Sequence, residues 1–148
     1  MRKNSKTSGD ERKARDMENF TYGFAKTISG KNLDQVKKSL LEALASEGFG
    51  ILTEIDVKAT LKKKLDVDFR PYIILGACNP PLAHKSVQAE PQIGLLLPCN
   101  VVIQQTDDAV TVSALSPKAV FGLVDNEQVA PVAQEVEAKL RRVIESIN

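Results

Sequence analysis

Hydrophobic and polar positions along this 148-residue chain alternate between periods of two and of three to four, and their order predicts an α+β fold. Phe20, Tyr22 and Phe24 alternate with Thr21, Gly23 and Ala25, the signature of a half-buried strand running to about Ile28. Leu33, Val36, Leu40, Leu41 and Leu44 then recur at helical steps on one face. Asn32 and Gln35 have capping-box spacing at its start, and Gly48 suits its stop, where positive φ is wanted. Phe49, Ile51, Thr53, Ile55 and Val57 predict a second strand. From Asp56, a capping residue, a short helix is expected with Leu61 and Leu65 on its inner face and Lys62, Lys63 and Lys64 on its solvated side.

Tyr72–Leu75 is a nearly continuous apolar run, as in a strand buried on both faces. Pro80 and Pro81 suit the first turn of a helix carrying Leu82, Val87 and Ala89. Ile93 to Ile103 is expected as a long apolar strand. Pro98 interrupts it, and because proline cannot donate to a ladder, a bulge or an unpaired edge is expected just before Cys99. Thr106, Asp107 and Asp108 form a turn, and Val110, Val112 and Ala114 return as a hairpin strand. Ser116 and Pro117 begin a short helix reaching about Val124. Asp125 and Asn126 can cap the last helix, whose stripe is Val129, Val132, Ala133, Val136, Leu140, Val143, Ile144 and Ile147. The pattern predicts one domain over residues 19–148: a mixed sheet of about five strands packed on helices, with a long C-terminal helix.

Charge narrows the function classes. Residues 1–18 carry six basic and four acidic groups, and the other 130 residues net −1. The first segment is expected as a disordered, charged tail, and nothing in the rest is basic enough to predict nucleic-acid binding. No apolar run approaches the ~20 residues of a membrane helix, and the N-terminus lacks a secretory apolar core. A cytoplasmic location follows as the expectation, and there two cysteines stay thiols.

Candidate chemistry concentrates between Tyr72 and Val102, where Cys78-Asn79 is followed by prolines and Cys99-Asn100 is preceded by one. The 13 residues from Asn79 to Pro91 are about the minimum for a crossover between parallel strands. If the flanking strands are parallel neighbours, both cysteines reach one carboxyl edge, where open sheets place ligands; if antiparallel, they lie at opposite ends. Three readings follow. The leading one is a small-ligand-binding module whose site is edged by Cys78, Asn79, Cys99 and Asn100. The second is a redox or nucleophilic enzyme with Cys78 as reactive thiol and Cys99 as its partner, which requires a lowered thiol pKa. The third is a structural or interaction domain in which both cysteines pack as small hydrophobes. Cys78, His84 and Cys99 are weak metal-ligand candidates, since a closed zinc site needs four ligands and no CxxC pair occurs. No glycine-rich phosphate loop, GxSxG elbow or HExxH pair is present, and the sequence names no cofactor.

The segments Leu65–Tyr72, Leu75–Pro80, Gly94–Val101 and Leu123–Asn126 carry a resemblance. Across about Tyr22 to Ile144 the chain resembles the bacterial and archaeal family known as domain of unknown function 302. One departure is Asp66, where a glycine often follows the leucine. The resemblance implies a compact α+β domain that forms a homodimer and has no agreed activity.

Overall fold

The structure is a computed structural model and describes residues 17–148. The expectation of a disordered tail falls, for residues 1–16, outside those described; Met17 and Glu18 already belong to the first strand. In chain order the elements are β1 (Met17–Phe20), β2 (Gly23–Ser29), α1 (Leu33–Ser46), β3 (Gly50–Asp56), α2 (Val57–Leu65), β4 (Tyr72–Cys78) and α3 (Pro80–Ala89). A 3₁₀ turn (Pro91–Leu96) leads into β5 (Cys99–Thr106), β6 (Ala109–Leu115) and α4 (Pro117–Phe121), and a second (Glu127–Val129) into α5 (Ala130–Ser146).

The α+β class and the long C-terminal helix are as expected, but the sheet has six strands, in the order β1-β2-β6-β5-β4-β3. Every neighbouring pair is antiparallel, so the sheet is not mixed. The extra strand arises because the Phe20–Ile28 run is a hairpin, Phe20 pairing with Gly23 across a two-residue turn. That turn depends on a bare Cα: a Cβ on Gly23 would stand 2.6 Å from the Ala114 carbonyl oxygen and 2.9 Å from the Phe20 ring.

One face of the sheet is buried. Phe24, Ile28, Leu75, Ala77, Val101, Ile103, Val110 and Val112 alternate inward along their strands and meet the helices. The expected stripe of α5 is buried from Val132 to Ile147, and α1 contributes Leu33, Val36, Leu40 and Leu44. Asn32 and Gln35 form the capping box, each 2.9 Å from the other's backbone nitrogen. Lys26 also points to the helix side, where its Nζ donates to the Glu145 carbonyl at 2.8 Å, a cation at a helix C-terminus. The opposite face stays half exposed, with Ile74, Val102, Gln104, Thr111 and Ser113 along it.

Leu65 is a correction. It was expected inward, but it is 66% exposed, and none of the residues of α2 is buried. This helix joins β3 to β4 beyond the end of their ladder, where Asp56 pairs with Ile73, and only Val57, Thr60 and Leu61 of it are partly covered. Its stop explains the departure at Asp66: that residue caps the helix with φ 53°, a left-handed conformation that glycine takes freely and aspartate tolerates.

Glu137 ties α4 to α5. Its carboxylate accepts from Ser116 Oγ at 2.6 Å, from the Lys118 backbone at 3.1 Å and from Arg141 Nε at 3.0 Å. Burial opposes its ionisation, but the hydrogen bonds from Ser116, Lys118 and Arg141 together hold its carboxyl below the ordinary value. A depressed folded-state value means this stabilisation is complete above the unfolded carboxylate range and disappears as pH falls through the folded value. Glu137→Gln should therefore cost about 1.5–3 kcal/mol at neutral pH. In denaturant titrations the gap from wild type should close as the pH is lowered; a gap independent of pH would show that the charge contributes nothing.

Candidate functional site

Each half of the site is positioned by the β4–β5 ladder. Ala77 pairs with Cys99 and Gly76 with Asn100, in antiparallel register. This overturns the parallel arrangement that was to bring the cysteines together, yet they still meet. The reason is that the segment read as the first half of a long strand is a 3₁₀ turn over Pro91–Leu96, so β5 begins only at Cys99. The last residue of β4 and the first of β5 therefore sit at one end of the sheet. One strand spacing and one residue step separate their α-carbons, about 6 Å. Pro98 lies just outside the ladder, as its missing N–H requires.

Cys78, Asn79 and Cys99 line one cavity of about 210 Å³. Its walls are mostly hydrocarbon: Phe49, Leu82 and Leu97, with Phe121 and Val136 from the two last helices. Leu52 reaches it from β3, where the register slips between Ile51 and Thr53 and leaves Leu52 out of the ladder. These walls are not legible along the chain, because Phe49, Phe121 and Val136 carry ordinary core periodicity and their convergence depends on long-range packing. Gly76 does not line the cavity, but its bare Cα lets Thr53 and Pro98 close on β4. A Cβ there would collide with Thr53 Oγ1 and stand 2.7 Å from Pro98 Cγ.

Asn79 has a structural task. Its Oδ1 accepts from the Leu82 N–H at 3.4 Å, capping α3, and its Nδ2 donates to the Glu47 carbonyl at 3.2 Å, fastening the end of α1. It rests against Gly48, whose φ of 86° ends that helix. Asn100 is not brought to the cavity. The alternation of β5 turns it to the open face, where it joins Tyr22, Tyr72 and Gln104 along a shallow groove. His84 is exposed on α3 and does not line the cavity. No group of three or more His, Cys, Asp or Glu able to hold a metal occurs among the described residues.

Neither cysteine is in a disulfide. Cys99 is 5% exposed, and burial, with the neighbouring Cys78 adding to it, pushes its thiol up to about 11. Burial raises Cys78 as well. Both sulfurs are therefore protonated at neutral pH, the opposite of what thiolate chemistry requires. In the native protein near pH 7.5, Cys78 should alkylate before Cys99. Cys99 should react about a hundredfold more slowly than in the unfolded chain, matching its rise from 9.0 to about 11. Fast labelling of Cys99 by timed mass spectrometry would contradict this electrostatic picture.

A six-stranded antiparallel sheet, helices on one face and a sulfur-edged apolar cavity at one end define a small α+β domain with a single-sided core. The chain belongs to the family described as domain of unknown function DUF302, whose model matches residues 24–147. Among solved structures it is similar to an uncharacterised conserved DUF302 protein from Bacillus stearothermophilus. The two share 25% identity at a TM-score of 0.76, covering 84% of this chain and 98% of that one. No curated protein matches the chain. Among the described residues no helix is long and apolar enough to cross a membrane.

Proposed function

We propose that this domain is a small-ligand-binding module whose site is the cavity edged by Cys78, Asn79 and Cys99. The observation that supports it is the cavity itself: about 210 Å³, half open to solvent, with mostly apolar walls and two cysteines at its edge, the make-up of a small-molecule site. A thiol-dependent enzyme would need at least one sulfur activated, and burial works against both, which is why the binding reading stands first. A reducing, cytoplasmic setting suits thiols kept in this state.

A set of small fragments, anionic, cationic and neutral, should include at least one that perturbs the NMR signals of Cys78, Leu82 and Cys99 at millimolar concentration. Ala83→Trp, which places an indole in the cavity, should abolish that response while leaving the far-ultraviolet circular dichroism unchanged. Silence at those residues throughout the set, or a response that survives the filled cavity, would sink the reading.

We further propose that two copies associate through the open face of the sheet. Tyr22 is 66% and Ile55 47% exposed, and Ile74, Val102 and Leu115 are half covered along the same face, apolar surface that pairing of two copies would cover. Val102→Lys should convert a dimer into a monomer in sedimentation velocity at micromolar concentration. A monomeric wild-type chain would refute this assembly.

A further inference from the structure

The polar atoms around the cavity restrict what it can accept, an inference that rests on the binding reading above. The residues lining it include no Lys, Arg, Asp, Glu or His. Asn79 spends its carbonyl oxygen on Leu82 and its amide on Glu47. Ser86 spends its hydroxyl proton on the Leu82 carbonyl at 3.0 Å. Beyond one spare Asn79 N–H and the lone pairs of Asn79 Oδ1 and Ser86 Oγ, what remains facing the space is hydrocarbon and the two neutral sulfurs of Cys78 and Cys99.

The start of α3 would ordinarily offer an anion its unpaired N–H groups. Here that offer is withdrawn. Pro80 and Pro81 have no N–H, the Leu82 N–H is taken by Asn79 Oδ1, and the Ala83 N–H bonds the Asn79 carbonyl at 2.8 Å. An anion entering the cavity would lose its hydration and gain in return no more than the second Asn79 N–H and two weak S–H donors. A cation would find no carboxylate and two protonated thiols. Transfer of an unpaired charge out of water is far costlier than hydrocarbon contact can offset.

Size sets the other bound. A dry apolar cavity of about 150 Å³ is enough for benzene, so about 210 Å³ leaves room for one ring with a small substituent. Sulfur at the edge of an aromatic ring is a favourable contact, and two sulfurs stand at this rim. We infer that the cavity between β4, β5 and α3 selects an uncharged monocyclic molecule, aromatic and largely apolar, and rejects ionised analogues of the same size.

Three probes of matched shape test the inference on the full chain: toluene, benzoate and benzylamine, each titrated while the NMR signals of Leu82 and Cys99 are followed. Toluene should bind at least tenfold more tightly than either ion. Benzoate or benzylamine binding at those residues as tightly as toluene would overturn the choice of ligand class while leaving a binding site in place. If fragments of other kinds bind there and toluene does not, the ligand class is likewise wrong. If none of the probes or fragments touches those residues, the binding site itself is refuted and this inference with it.

Discussion

The antiparallel pairing of β4 with β5 is the constraint from which the rest of the architecture follows. Both are interior strands, and the register that sets Ala77 opposite Cys99 also sets Leu75 opposite Val101 and Ile73 opposite Ile103. Those inward pairs form the surface on which α1 and α5 lie. A slip of one residue would turn Asn100, Val102 and Gln104 toward the helices and expel the buried set to solvent. Burial of one face thus locks the register, and the register puts two sulfurs at the same end of the sheet.

Helical faces were the most legible part of the sequence. The stripe of α5 and the face of α1 are as their periodicity predicts, because over 17 and 14 residues a stripe repeats several times, whereas the nine residues of α2 repeat it too little. Strand identity was less legible. Phe20, Tyr22 and Phe24 alternate without interruption, so the turn inside that run has no signature in the pattern; Gly23 was its one trace. Ile93–Leu97 is apolar enough for a strand, but Pro91 and Pro98 bracket it and a 3₁₀ turn results. Strand pairing was least legible, since periodicity says which face a residue takes and nothing of which neighbour lies beside it.

The same limits govern the candidate site. Cys78, Asn79 and Cys99 could be chosen from the sequence, and they share a cavity, although by a route opposite to the one expected. Asn100 could not be separated from them until β5 had a starting residue; with Cys99 as the first, strand alternation sends Asn100 to the far face. The thiols also needed coordinates. A cysteine before a helix suggests activation by the dipole, but the prolines in that first turn and the surrounding hydrocarbon leave desolvation as the dominant influence.

Gly76 carries a consequence for how this end of the sheet can vary. Because any side chain there would press on both Thr53 and Pro98, a single added methyl group would pry apart three neighbouring strands at the position where β5 begins. The cavity walls come from several separate elements and can be exchanged one at a time, so the volume is adjustable by degrees. The strand junction is not. Variation in the cavity would then be written in its walls, beside a junction held constant by the absence of one carbon atom.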